Sequence, residues 1–284
     1  MNGPLKQGKP AVDLVIVDLD GTIIHPYKQA DISPRVIQAI AAVQAAGIPV
    51  TIATGRTLEY VRAHIRGLDV TLPVVTAQGA VMGDPVTGEV LQETDLPMAE
   101  ARRMAAWIDA RNPVAALYFS NRDGSMRIVK NRDGHLLDFE QYAMGLPSAM
   151  LPRLAQALPD ASSHPPIKIM LLNDPATEED YGIQLKQAFE PALTIIRTHP
   201  ILVEATAAGV DKGQGVRDLC ARIGVDPARV MAIGDSDNDI PMLEAVGFAV
   251  AMGNASPGVL AVSDWVAPHV DDDGAAVALE TWIG

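Results

Sequence analysis

Residues 12–26 read VDLVIVDLDGTIIHP, an apolar run that stops at Asp18 and gives way to Leu19, Asp20, Gly21 and Thr22. Leu14 to Val17 is continuously apolar and partly β-branched, the pattern of a strand buried on both faces in a parallel sheet covered by helices. A carboxylate closing such a strand costs free energy unless something pairs with it. Asp20-Gly21-Thr22 by itself reads as a turn out of the strand. The meaning of the two carboxylates therefore depends on what the rest of the chain brings beside them.

Outward from this strand, SPRVIQAIAAVQAAGI (33–48) predicts a helix with Ser33 as N-cap, Pro34 at the first helical position and Gly47 at its end. PVTIATGR (49–56) follows as a second strand, then a helix over about 58–66, then a third apolar segment, VTLPVVTAQGAVM (70–82). This alternation is the mark of an open α/β sheet. Near Gly83 the rhythm changes. A hairpin in GDPVTGEVLQETDL, a helix in MAEARRMAAWIDAR, strands in AALYFSNRDGSMRIVKN, and then helix, strand, helix and strand from LPRLAQAL through LTIIRTHPILVEAT predict a compact α+β unit. From Lys212 the α/β pattern returns with KGQGVRDLCARIGV, RVMAIGD, FAVAMG, DWVAP and GAAVALETWI. The expected organisation is a poorly ordered tail over 1–10, a Rossmann-like doubly wound parallel sheet core over 11–83 and 199–284, and an α+β domain inserted over 84–198.

Composition narrows the function. With 48% hydrophobic residues in 284, the chain can bury a sizeable core. Its 22 Lys plus Arg against 35 Asp plus Glu give a formal charge of −13, which opposes attraction to nucleic acid or an anionic membrane. No apolar run approaches the roughly 20 residues of a membrane helix, and MNGPLKQGKP lacks the apolar stretch of a signal peptide. A soluble cytoplasmic protein acting on a small molecule is the expectation, with the oligomeric state open. Cys220, the single cysteine, lies on the apolar face of a predicted helix. The six histidines show no pair at metal-ligand spacing; His25 alone follows the Asp18 loop closely.

In a doubly wound sheet ligands bind beyond the carboxyl ends of the strands, and three predicted strand ends carry polar residues. They are Asp18 with Asp20, Thr54 with Gly55 and Arg56, and Asp235 with Asp237, Asn238 and Asp239. Lys212 adds a cation at the start of a helix. Alone, each has an ordinary explanation: a turn, a helix cap, a solvated lysine. Together they suit phosphoryl transfer. Carboxylates from two strand ends fit a hard divalent ion such as Mg2+, which takes one or two carboxylates plus substrate phosphate. Asp18 is then placed to attack phosphorus, and Asp20 to protonate the leaving oxygen and later activate water. Thr54, the neighbouring amides and Lys212 suit the phosphoryl oxygens, while Asp235 completes the metal site with Asp239 as second ligand or orienter.

DLDGT (18–22), TIATGR (51–56), GVDKGQGV (209–216) and GDSDNDIPML (234–243) resemble, in order, the four motifs of haloacid dehalogenase superfamily phosphatases. The insertion between the second and third looks like the type IIB cap of the Cof-like sugar phosphatase branch. The resemblance implies Asp18 as nucleophile and Mg2+ ligand, and Asp20 as acid/base that binds the metal through its carbonyl. It further implies Thr54 and Lys212 at the phosphoryl group, Asp235 on Mg2+, and Asn238 and Asp239 around phosphate and metal. It implies small phosphate monoesters as substrates, sugar phosphates first. A phosphomutase or phosphotransferase on the same scaffold, or a non-catalytic binder of phosphate ligands, are the alternatives. Gln78, Gly79 and Ala80 stand where many relatives have Asn-Gly-Ala, and Glu204 lies near the return to the core with its role open between substrate and hinge.

Overall fold

The computed structural model describes residues 10–25, 31–121, 123–133, 148–158 and 164–283. The expected tail lies outside them except for Pro10. At the centre is β1 (Leu14–Val17), every residue of it buried. It sits in a five-stranded parallel sheet of order β14-β13-β12-β1-β2, whose other members are β2 (Val50–Ile52), β12 (Val230–Gly234), β13 (Phe248–Ala251) and β14 (Trp265–Val266). Leu14 pairs with Val230 on one side and Val15 with Val50 on the other.

Successive side chains of a strand face opposite ways, and both faces of this one are covered. Val15 and Val17 pack with α1 (Pro34–Ala45), α2 (Leu58–His64) and α8 (Gly274–Trp282). Leu14 and Ile16 pack with α5 (Lys212–Ile223), α6 (Ile240–Glu244) and α7 (Pro257–Val262). The continuous apolar run is thus explained by two helical layers, and α1 begins as its sequence predicts, Ser33 Oγ accepting from Val36 N at 3.2 Å.

The third apolar segment is not one strand. It breaks into β3 (Val74–Thr76) and β4 (Val81–Gly83) across a tight turn in which Ala77, Gln78 and Gly79 all have positive φ. Left-handed backbone is unfavourable for Ala and Gln. Here it is held by Ala77 N donating to Arg56 O at 2.8 Å and Gln78 N donating to Thr54 O at 3.2 Å. β3 continues the parallel sheet through a bridge between Ala53 and Val75. β5 (Val90–Glu93) pairs antiparallel with β4, so the hairpin expected in GDPVTGEVLQETDL forms, with β4 as its first arm.

The inserted unit is a six-stranded sheet of order β10-β11-β9-β6-β7-β8. Its strands are β6 (Val114–Ser120), β7 (Met126–Lys130), β8 (Ser148–Met150), β9 (Lys168–Leu172), β10 (Leu193–His199) and β11 (Leu202–Ala207). Helices α3 (Met98–Arg111) and α4 (Tyr181–Phe189) cover one face. The other face packs Tyr118, Met170 and Leu202 with Ala77, Ala80 and Val81 of the core. LTIIRTHPILVEAT reads as one strand but folds as the hairpin β10/β11, with Pro200 and Ile201 between the paired His199 and Leu202. A proline cannot donate to a ladder, so the chain turns there. The sheet consequently runs to Ala207, beyond the boundary expected at 198. LPRLAQAL, expected as a helix, makes a single 3-10 turn over Leu154–Ala157, its amides at 154 and 155 donating to the Asp109 carboxylate. Among the described residues no helix is long and apolar enough to cross a membrane.

Candidate active site

Because the central strands are parallel and adjacent, their carboxyl ends emerge side by side. Asp18 leaves β1, Thr54 follows β2, Asp235 follows β12, and the loop after β13 carries Asn254. Lys212 opens α5, whose N-cap Asp211 accepts from Gln214 N at 2.8 Å. Asp18, Asp20, Thr54, Gly55, Lys212, Asp235 and Asn238 all line one cleft of about 330 Å3, roofed by β9 and β11. Asp239 stands behind that surface, fully enclosed.

The centre is an ionic cluster. Lys212 Nζ, 1% exposed, donates to Asp18 Oδ1 and to Asp239 Oδ1, each at 2.6 Å. Asp239 Oδ2 accepts from the amides of Asp235 and Ser236 at 2.9 and 3.0 Å, so both its oxygens are engaged. Asp235 is held from three sides: Asn254 Nδ2 and Ser236 Oγ donate to its Oδ2 at 3.2 Å each, and Thr22 Oγ1 to its Oδ1 at 3.4 Å. The same Asn254 amide donates to Gly21 O at 2.8 Å. Gly21 has φ +83°, and a Cβ there would lie 2.3 Å from Asp235 Oδ2, so both backbone and space demand glycine.

Burial pushes the Asp18 carboxyl up to about 7; the Lys212 ammonium opposes this, while Asp239 and Asp20 add to it. Burial, then Asp239 and Asp18, raise Asp235 well above its ordinary value. For Lys212 burial acts downward, but Asp18 and Asp239 outweigh it and its pKa is raised. Carboxylate oxygens of Asp18, Asp235 and Asp239 lie within 4.8 Å of one another, and the one ammonium among them bonds Asp18 and Asp239, so acidic groups outnumber the cation. Such an all-oxygen set has the donor chemistry of a hard divalent cation.

Asp20 points differently. Arg56 grips it with Nε to Oδ2 and a terminal nitrogen to Oδ1, both at 2.7 Å, and the guanidinium stacks over the Tyr60 ring at 4.4 Å. Arg56, at the end of the second motif, is thus paired with a carboxylate. On the far wall Asn238 Nδ2 donates to Gln78 Oε1 at 3.1 Å, and Asn238 Oδ1 is buried without a partner. The Gln78 amide also limits position 55, where a Cβ would meet its Nε2 at 2.2 Å. His25 sits 3.3 Å from Asp271, and Cys220 packs in the α5 core face, its thiol pushed up by burial and by Asp226.

Sequence reasoning missed Asn254, which ties the Gly21 turn to Asp235. It also missed Lys168, whose Nζ donates to Gly55 O at 2.9 Å and to Glu204 Oε1 at 3.1 Å. The signal for Asn254 was a polar residue after the apolar strand FAVAMG, the same cue that marked Asp18 and Asp235. Lys168 had none, since it opens an otherwise apolar strand.

Residues 15–279 match the family model described as haloacid dehalogenase-like hydrolase. The phosphatase YwpJ of Bacillus subtilis is 27% identical over 283 residues, covering 93% of this chain and 97% of its own. The pyridoxal phosphate phosphatase YbhA of Escherichia coli is 26% identical over 261 residues, covering 87% and 90%. Among solved structures, the phosphatase BT1666 of Bacteroides thetaiotaomicron superposes with a TM-score of 0.79 at 25% identity, over 99% of this chain and 98% of that one. A subclass IIB sugar phosphatase has the same fold, with a TM-score of 0.79 at 23% identity over 95% and 98%.

Proposed function

As the chain belongs to the haloacid dehalogenase-like hydrolases, we propose that it hydrolyses small phosphate monoesters, sugar phosphates foremost, through an aspartyl phosphate on Asp18. The observation that carries this reading is the Lys212 ammonium shared between Asp18 and Asp239 at 2.6 Å each, beside Asp235 and open to one cleft. A site that only bound phosphate would have no use for this concentration of carboxylates, which repel the ligand unless a cation is added.

Asp18 and Asp235, which line the cleft, are the side chains suited to hold Mg2+, with the carbonyl of Asp20 as the further ligand the family resemblance implies; Asp239, enclosed behind the cleft surface, fixes Lys212 and the Asp235 loop. Bound there, the ion would neutralise charge on the phosphoryl oxygens. Lys212, Thr54 and the amide of Gly55 hold those oxygens from the other side, and Asn238 completes the wall. The Asp18 carboxylate attacks phosphorus as the ester P–O bond breaks, and Asp20 passes its proton to the departing alkoxide. Asp20 then takes a proton from water, which attacks the acyl phosphate, frees phosphate and restores Asp18. Arg56 holds both Asp20 oxygens, so one of them leaves the guanidinium when Asp20 carries the proton it delivers to the leaving oxygen.

The direct test is phosphate release from a panel of sugar, nucleotide and cofactor phosphates with Mg2+ present and after chelation. Release that depends on the metal is expected; none from any ester overturns the reading. Asp20→Asn separates the acid from the nucleophile. Its turnover of an alkyl phosphate should fall by about 10²–10⁴-fold, and far less with p-nitrophenyl phosphate, whose leaving group needs no proton. Equal losses with both esters would remove Asp20 from the acid role.

A further inference from the structure

The roof of the cleft carries a second buried ion pair. Lys168 opens β9 and Glu204 lies on β11, and the two are 3% and 4% exposed. An ammonium has three donors, and Lys168 directs two of them to protein acceptors. One goes to Glu204 Oε1 at 3.1 Å, one to Gly55 O at 2.9 Å, and the group lies 4.7 Å from the centroid of the Tyr118 ring. What the roof leaves over is an acceptor: Glu204 Oε2 is enclosed with no hydrogen-bond partner, and Thr198 Oγ1 nearby along the sheet is in the same state. Both residues line the cleft. A buried carboxylate oxygen left unpaired carries an uncompensated desolvation cost, which a donor arriving from the cleft would relieve.

We propose that Glu204 is a specificity-determining residue that accepts a hydrogen bond from a hydroxyl or ammonium group on the organic part of the substrate, and thereby disfavours esters bearing a second anion. The inference rests on the phosphatase reading above, which fixes the phosphate end at Asp18 and Lys212 and turns the organic part toward the roof. Lys168 is a positioning residue. It spends its charge on holding Glu204 and on the carbonyl of Gly55, so it joins the roof to the loop that meets phosphate. A carboxylate on the substrate would meet Glu204 with no cation free to receive it among these contacts.

Three phosphate esters of equal chain length test this: propyl phosphate, glycerol 1-phosphate and 3-phosphonooxypropanoate. The wild-type protein should favour the glycerol ester over the propyl ester in kcat/KM and turn over the propanoate least. In Glu204→Gln the glycerol-to-propyl ratio should fall by about tenfold, the scale of one charge-assisted hydrogen bond. That change should appear in KM, and the propanoate should gain relative to the propyl ester. Ratios that stay within about twofold of wild type overturn the inference and leave the phosphatase reading intact. If Glu204→Gln fails to fold, Lys168→Met with Glu204→Leu removes the whole pair in apolar form. The same collapse of preference is expected there, and a retained wild-type preference overturns the proposal. A wild-type protein silent toward these esters and toward the broad panel removes the phosphatase reading and this inference together.

Discussion

Asp18→Asn is expected to lower turnover by about four orders of magnitude or more, the scale of losing a nucleophile from groups that act as a unit. It should also abolish any acid-stable, alkali-labile phosphate bound to the protein. The reason is local. Asp18 is the carboxylate that ends the central strand, its backbone amide bonded to Ile233 O at 3.0 Å and its Oδ1 to Lys212 at 2.6 Å. The strand fixes its position and the lysine its orientation. An amide keeps the shape and can still accept from Lys212 through oxygen, so circular dichroism should report an unchanged fold. What it loses is the nucleophilic charge. Labelling with phosphate-labelled ester, followed by acid quench, reads the intermediate directly. Turnover near the wild-type level, or a label that persists in the variant, would move the nucleophile elsewhere.

The carboxylates were legible because a buried strand that ends in Asp is an anomaly that only partners can justify, and the parallel sheet sets such ends side by side. Asp18, Thr54 and Asp235 needed only that geometry, whereas Lys212 opens a helix and was read from its place beside them in the motif order. Other features depend on pairings that no short stretch contains. Ala77 and Gln78 carry no glycine signal for left-handed backbone, and the turn exists because Arg56 and Thr54 carbonyls receive their amides. The β10/β11 hairpin hides in a stretch of strand-forming residues whose one clue is Pro200. Lys168 and Glu204 stand 36 positions apart and meet because β9 and β11 pair antiparallel, Glu204 opposite Met170. Each is solvated or ordinary in isolation, and tertiary context alone turns them into a buried pair.

Lys212→Met should show how far one ammonium serves both fold and chemistry. With Lys212 1% exposed and bonded to two carboxylates, its loss leaves Asp18 and Asp239 buried without a counter-charge. Breaking a buried pair in this way costs about 3–5 kcal/mol, which should lower the melting temperature by on the order of 10 °C. The site also loses a donor to the phosphoryl oxygens, worth about 10²–10³-fold in kcat. The two effects separate in a double variant. Adding Asp239→Asn removes one orphaned charge, so part of the stability should return, and the two substitutions should couple strongly because the residues touch. Turnover should not return with it, since the amide supplies no cation. Stability and turnover recovering in parallel would mean that Lys212 acts on activity only by holding the fold. A Lys212→Met protein with wild-type melting temperature would contradict the buried triad itself, because no arrangement with Nζ 2.6 Å from two enclosed carboxylates can lose that nitrogen at no cost.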